Sequence, residues 1–181
     1  MEGEWVMTDG TRLTVVVGDI ATLAVDAVVN AAAPGLGGGT GVSRALHDAA
    51  GPGLFEAANR LEPVGRGDAA ATPGFALSAR FVIHAVGPVY ITGALGEDRV
   101  LTKTYRRALE VARDIGARTI AFPAISTGAY RFPRAAAARI AVTTVREMVA
   151  AMPDTFDEII FCCRTPDSAD LHRAALEESA P

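Results

Sequence analysis

Asn30-Ala31-Ala32-Ala33-Pro34-Gly35-Leu36-Gly37-Gly38-Gly39-Thr40-Gly41-Val42 leaves the apolar run Ala27–Asn30 and enters Val42–Ala50, which stops at Gly51-Pro52. A short run of this composition suits a buried strand, and a segment closed by Gly-Pro suits a helix. Between them, five glycines fall within positions 35–41. Glycine costs backbone entropy on folding, so clusters persist where φ must be positive or where a ligand approaches the main chain. Ahead of a helix N-terminus, such a loop offers free N–H groups and the positive end of the helix dipole, which together suit a phosphate. Two familiar phosphate loops are excluded. No Gly-Lys-Ser/Thr follows, and in the register from Gly37 the third glycine of a dinucleotide fingerprint is replaced by Val42. A long turn with no ligand is the alternative reading of the cluster on its own.

Working outward, further apolar runs bounded by breakers are Leu13–Gly18, Phe81–Ala85, Thr119–Pro123 and Glu158–Cys163. They alternate with helix-length segments: Asp98–Ile115, a segment after Pro133 with apolar residues at helical spacing, and Ser168–Glu178. This alternation predicts an α/β layered fold with parallel strands covered on both faces and at least five strands. Trp5–Met7 is too short a pattern to decide as an edge strand. The 181 residues, half of them apolar, suit one domain, with no internal repeat or linker-like shift in composition. With 17 basic against 21 acidic residues the net charge is −4, which argues against bulk binding of nucleic acid. Apolar stretches are cut before membrane-spanning length, so no membrane association is expected. Met1–Gly10 carries Glu2, Glu4 and Asp9 and lacks a secretory pattern, which makes a cytoplasmic protein the expectation. Cys162 and Cys163 are adjacent within an apolar run and read as reduced core thiols. No cluster has metal-ligand spacing, so neither a metal nor a cofactor is expected.

A second loop, Pro123-Ala124-Ile125-Ser126-Thr127-Gly128-Ala129-Tyr130-Arg131-Phe132-Pro133, also joins a strand to a helix, with Pro133 placed to start the latter. Ser126, Thr127 and Gly128 can present successive N–H groups to an anion as a nest. Two such loops at strand C-termini of one open sheet would converge on a crevice suited to a nucleotide with two phosphates. Both contain near-misses to the nucleophile elbow, Gly41-Val42-Ser43-Arg44-Ala45 and Ala124-Ile125-Ser126-Thr127-Gly128, each lacking one glycine. The only late histidine is His172, in a polar terminal helix, which weighs against a serine hydrolase.

The residues resemble the macrodomain family, whose members bind ADP-ribose and in many cases hydrolyse its derivatives. Six ordered segments carry the likeness: Gly18-Asp19-Ile20, Val28–Ala32, Gly37–Val42 continuing into Ala45–Pro52, Thr72–Phe75, Val82–Pro88 and Pro123–Gly128. The resemblance covers about residues 13 to 165. It implies a three-layer α/β/α sandwich around a mixed six- or seven-stranded sheet, with ADP-ribose in a cleft at the strand ends. By the same resemblance, Asp19 would accept from the adenine amino group, with Ile20 beside it. Gly38, Gly39, Thr40, Gly41 and Val42 would wrap the distal ribose and phosphate. Ser126, Thr127, Gly128, Ala129 and Tyr130 would close over the diphosphate, with Tyr130 near the distal ribose. Asn30 either holds the loop or touches the ribose.

Departures from the family pattern bear on chemistry. Hydrolytic relatives usually carry an Asn and an Asp where this chain has Ala33 and Ser43. Serine without a partner is a poor base at neutral pH. Arg44 is expected to meet an anion on the distal ribose if it faces the cleft, and otherwise to be a solvated helix arginine. Ser43 and His47 are four residues apart and can share a helix face, which makes them candidate catalytic residues. His84, in a buried strand, reads as a structural donor. Arg164 stands where many relatives place an aromatic against adenine, so stacking by Arg164 or apolar contact alone would hold the base. The expected partners are ADP-ribose or a derivative, and a protein carrying ADP-ribose. The reaction expected is removal of a 1″-phosphate, because that group brings its own charge for Arg44 and backbone N–H groups to stabilise, with attack by water assisted by the substrate. The alternatives are a non-catalytic reader, an O-acetyl-ADP-ribose deacetylase and a mono-ADP-ribosylhydrolase.

Overall fold

The computed structural model describes residues 3–179. Its strands are β1 Glu4–Val6, β2 Arg12–Val17, β3 Ala27–Ala31, β4 Ala69–Pro73, β5 Phe81–Ala85, β6 Thr119–Phe122 and β7 Glu158–Cys163. The helices are α1 Gly41–Ala50, α2 Pro52–Asn59, α3 Glu97–Asp114, α4 Arg134–Ala151 and α5 Pro166–Glu178, with a 3-10 turn at Ile20–Thr22. The strands form one seven-stranded sheet in the order β1-β2-β7-β6-β3-β5-β4. β2, β7, β6, β3 and β5 are parallel, and β1 and β4 close the two edges in antiparallel pairing.

Alternation along the strands divides the core into two faces. Leu13, Val29, Ile83, Ile120 and Phe161 pack with Leu101, Tyr105, Val145 and Leu176 of α3, α4 and α5. Val28, Val82, Ala121 and Cys162 pack with Leu46 and Leu54 of α1 and α2. The sheet is therefore the middle of three layers. β3, β5 and β6 are buried on both faces, which explains why they read as continuous apolar runs. α3 buries Leu101, Tyr105, Ala108, Leu109 and Ala112 at helical spacing.

Three elements go beyond the reading from sequence. β4 is Ala-rich and ends in proline, a weak strand signal that edge pairing with β5 overrides. Gly51-Pro52 ends α1 as expected and also begins α2, since Pro52 is at that helix's first turn. β1 is ordered by register with β2, Trp5 opposite Leu13, one residue earlier than the Trp5–Met7 pattern. Elsewhere boundaries move by one or two residues; α1 and α3, for example, begin at Gly41 and Glu97.

Candidate functional site: a cleft at the strand ends

The chain leaves β3 towards α1, α2 and β5, then crosses back through α3 to β6 on the other side of β3. Connections that part in this way open a crevice at the carboxyl ends of the parallel strands. The segments after β2, β3, β6 and β7 all line it. It has three communicating compartments: a distal one of about 240 Å3, a middle one of about 210 Å3 and a small one of about 10 Å3. Gly41, Val42 and Gly128 are walls common to the distal and middle compartments, and Val42, Cys162 and Arg164 to the middle and small ones.

The first loop is held by an apolar plug. Leu36 takes a left-handed φ of +51°, and its buried side chain packs with Ala32, Ala58, Val64 and Val86. That packing offsets the strain of a non-glycine residue at positive φ. Gly41, at φ +58°, opens α1 after Thr40, whose side chain makes no capping bond, and the first turn holds no acid. The first-turn N–H groups therefore face the cleft without a competing acceptor from the cap. Gly38 lies against His47, with the position of an added Cβ 3.5 Å from the His47 side chain.

The second loop is braced from beneath. The Tyr105 hydroxyl donates to the Pro123 carbonyl at 3.3 Å and accepts from the Ile125 N–H at 3.4 Å, and burial pushes this phenol's pKa up. Ser126 is left-handed, at φ +66°, and its carbonyl accepts from the Phe132 N–H at 2.9 Å. In this turn the Thr127 N–H donates to the Ala124 carbonyl at 3.3 Å and is not one of a run of successive free donors, so the donors left to the cleft are those of Gly128, Ala129 and Tyr130, which with Ser126 line the distal compartment while Thr127 lines the middle one. Gly87 is needed for the close approach, because a Cβ there would sit 2.3 Å from Ser126 Oγ. Arg66 donates to the Gly87 carbonyl at 2.9 Å and lies over the Tyr130 ring, 5.1 Å from its centre, while the Tyr90 N–H donates to the Tyr130 carbonyl at 2.8 Å. Arg66 and Tyr90 were not singled out from the sequence, and Gly87 entered only as part of the segment Val82–Pro88, with no role given to it. The Gly87-Pro88 pair after a buried strand was the available signal for Gly87, and the other two carried none.

Asn30 meets Ser43 beneath the distal compartment, which Ser43 lines and the fully buried Asn30 does not. Asn30 Nδ2 donates to His84 Nδ1 at 3.1 Å and to Ser43 Oγ at 3.4 Å, and Ser43 Oγ donates to the Gly37 carbonyl at 3.3 Å. His84 Nε2 is 3.0 Å from Thr72 Oγ1. With Nδ1 accepting, the proton belongs on Nε2 and is donated to Thr72. Burial, helped by the neighbouring His47, pushes the His84 pKa down to about 4, so the ring is neutral at pH 7. Asn30 Oδ1 and Ser126 Oγ are buried without a protein partner among the described residues.

The candidate pair Ser43 and His47 is not joined by a hydrogen bond. Ser43 Oγ is engaged with Asn30 and Gly37, and His47 packs behind the glycine loop between Phe55 and His84, its pKa lowered by burial. Arg44 faces solvent, its side chain 72% exposed and paired with Asp48 at 3.6 Å, and it does not line the cleft. Ala33 lines the distal compartment and leaves room where a longer side chain would project.

Asp19 and Ile20 line the small compartment with Arg164. Asp19 is the N-cap of the 3-10 turn. Its Oδ1 accepts from the Ala21 N–H at 3.0 Å, while Oδ2 makes no protein hydrogen bond among the described residues. A volume near 10 Å3 holds one water at most, so any larger group at Asp19 would have to extend over Val42 and Cys162 from the middle compartment. Burial, with Cys163 and Asp19 nearby, pushes the Cys162 thiol up to about 11, so that wall is uncharged. Cys162 and Cys163 are both free thiols. Among the described residues no group of three His, Cys, Asp or Glu side chains is placed to hold a metal, and no helix is long and apolar enough to cross a membrane.

Fold and cleft define a three-layer α/β domain with its ligand site at the strand ends. A profile described as Macro domain matches residues 29–141, and the chain belongs to the Macro domain family. A macro domain-containing protein of Ralstonia nicotianae is 49% identical over 161 residues, covering 89% of this chain and 92% of its own length. A protein named O-acetyl-ADP-ribose deacetylase from Enterobacter sp. is 45% identical over 169 residues, covering 91% and 93%. Among solved structures, the Oceanobacillus iheyensis macrodomain with ADP superposes with a TM-score of 0.92 at 32% identity, covering 98% of this chain and 96% of that one. The Trypanosoma brucei macrodomain in complex with ADP-ribose superposes with a TM-score of 0.85 at 33% identity, covering 91% and 68%. The seven-stranded mixed sheet agrees with the architecture implied by the resemblance.

Proposed function

We propose that this chain binds ADP-ribose in the cleft and hydrolyses a derivative substituted on the distal ribose, with ADP-ribose-1″-phosphate the favoured substrate. The observation that carries the reading is the meeting of two backbone concavities, the uncapped start of α1 and the Ser126–Ala129 turn, across the shared walls Gly41, Val42 and Gly128. Together they offer N–H donors to a pyrophosphate from opposite sides, with no acid among those walls. From there the nucleoside runs through the middle compartment to Asp19, whose free oxygen suits an exocyclic amino group. The distal ribose enters the compartment bounded by Ala33, Ser43 and Tyr130. Relatives named as deacetylases, and neighbours solved with ADP and ADP-ribose, support the same ligand class.

The distal compartment is lined by no histidine or carboxylate. A phosphomonoester supplies the missing base itself. As the water oxygen bonds to phosphorus and the bond from phosphorus to the C1″ oxygen breaks, the proton lost by water passes through a phosphate oxygen to that leaving oxygen. ADP-ribose and inorganic phosphate result. The loop N–H groups stabilise the transferring group, while Asn30 holds Ser43, and Ser43 holds the Gly37 carbonyl, so that the glycine loop keeps its shape around the ribose. An acetyl ester has no such internal base, which sets the phosphate above the acetyl substrate here. The same lack of a side-chain base favours a second reading, a reader of free or protein-attached ADP-ribose that signals by occupancy.

Calorimetric titration with ADP-ribose, followed by incubation with ADP-ribose-1″-phosphate, O-acetyl-ADP-ribose and a mono-ADP-ribosylated protein, tests this directly. Phosphate release alone is the expected result. Binding without turnover would make the chain a reader, acetate release would make it a deacetylase, and absence of binding would overturn the reading altogether.

A further inference from the structure

The two cations of the cleft meet at the middle compartment, and one of them, Arg164, also borders the small compartment that holds Asp19. Arg134, at the start of α4, and Arg164, just after β7, both line the middle compartment, whose lining includes no acid. The distal compartment is lined by no charged side chain, and Asp19 is the acid of the small one. Neither guanidinium makes an ion pair with a described residue, whereas Arg44, Arg107 and Arg118 are paired with Asp48, Asp68 and Asp157. Asp167, in the first turn of α5, lies close in sequence but is not part of the lining. In a chain of net charge −4, two unpaired arginines on one acid-free cavity make a local positive field that favours an anion there.

The pyrophosphate does not account for them. Its two concavities meet at Gly41, Val42 and Gly128, at the distal side of the middle compartment. With the base directed to Asp19 and the pyrophosphate at that junction, the adenosine-side ribose lies between them, within the middle compartment. That ribose would carry its free hydroxyls in the compartment that Arg134, Arg164 and Thr165 line.

We propose that this lining is a subsite for a phosphomonoester on the adenosine ribose, so that the preferred ligands are 2′-phosphorylated ADP-ribose units, the class derived from 2′-phosphorylated nicotinamide dinucleotides. The inference rests on the ADP-ribose reading above and deepens it. A guanidinium fork matches a phosphate's oxygens in paired hydrogen bonds, and two forks on one rim suit a dianion. Both side chains are exposed, so ordering them accompanies binding and the attraction is screened by salt.

The test is calorimetry of the intact chain with ADP-ribose and with 2′-phospho-ADP-ribose at low and high salt. The 2′-phosphorylated ligand is expected to bind about tenfold tighter or better at low salt, with the advantage shrinking as salt rises. Arg134→Gln is expected to remove most of that advantage while leaving ADP-ribose affinity within about twofold. Arg164→Gln, which also borders the base, should weaken both ligands, the phosphorylated one more. Equal affinity for the two ligands, or weaker binding of the phosphorylated one, overturns the subsite and leaves the ADP-ribose reading standing. Equal losses for both ligands in Arg134→Gln also overturn it, by assigning that arginine to the pyrophosphate. Failure of ADP-ribose itself to bind overturns both.

Discussion

Gly87→Ala is the substitution whose effect follows most directly from the geometry. A methyl group at position 87 would sit 2.3 Å from Ser126 Oγ and 2.8 Å from Ile125 Cγ2. Carbon contacts are favourable near 3.5–4.0 Å, so the Ser126 hydroxyl must swing aside and Ile125 or the end of β5 must retreat by roughly 0.7 Å. Neither moves freely: Ile125 is buried and Ser126 is tied through its carbonyl to Phe132. Overpacking of this kind costs about 1–3 kcal/mol, and in a domain of this size each kcal/mol lowers Tm by about 2–4 °C. Thermal melting should therefore fall by roughly 2–12 °C, and ADP-ribose titration should show weakened binding, because the displaced turn is one of the two walls proposed to hold the pyrophosphate. Ser126→Ala removes the nearest clashing atom, a buried hydroxyl without a protein partner, so its own cost should be small. The double variant Gly87→Ala/Ser126→Ala should recover part of both losses, a coupling on the order of 1 kcal/mol. If Gly87→Ala melts and binds like the parent, or the double variant is simply additive, the argument that this contact sets the turn is wrong.

Four further outcomes are expected. Gly128→Glu should fold normally, since an added Cβ meets no atom within 4 Å, yet abolish ADP-ribose binding by filling the cleft; matched melting curves and titrations check both halves. Asp19→Asn should keep the 3-10 turn capped and Tm unchanged, whereas Asp19→Ala should lose the cap and about 0.5–2 kcal/mol of stability; both should weaken ADP-ribose binding in titration. Folded His84 has a pKa of about 4, below its ordinary 6.5, so the unfolded chain binds more protons between those values and stability falls as pH drops through that window. The full effect is on the order of 3 kcal/mol, and chemical denaturation of the parent and of His84→Gln from pH 7 to 4 should show a flatter profile in the variant. Ser43→Asp with Ala33→Asn should restore a carboxylate and an amide to the distal compartment and raise O-acetyl-ADP-ribose hydrolysis; an acetate-release assay showing no gain would refute the idea that these two positions limit that activity.

Strand–helix alternation was legible because β3, β5 and β6 are buried on both faces and so are apolar throughout. β4 was not, because its Ala-rich sequence is strand only by virtue of pairing with β5. The two loops of the cleft were visible as glycine and small-residue clusters after strands, and the structure places Gly39, Thr40, Gly41, Val42, Ser126, Gly128, Ala129 and Tyr130 on one compartment. The direction in which helix side chains point was not available. Spacing alone left Arg44 free to face either way; in the structure it lies on the solvent side of α1 beside Asp48, one turn on. Spacing also put Ser43 and His47 on one face, although Asn30 and Gly37 occupy the serine and the glycine loop separates the histidine from the cleft. Gly87, Arg66 and Tyr90 act from residues far along the chain, and their contacts exist only once β5 lies beside β3.

The walls Gly37–Ser43 and Ala124–Tyr130 face each other without a hydrogen bond between them among the described residues, each anchored separately to its own layer. A diphosphate ligand such as ADP-ribose, gripped by both, would cross-brace the two walls. Saturation at a hundred times Kd adds about 2.7 kcal/mol to the folded state. Hydrogen exchange should slow at the rims of the cleft long before it slows in the strands beneath.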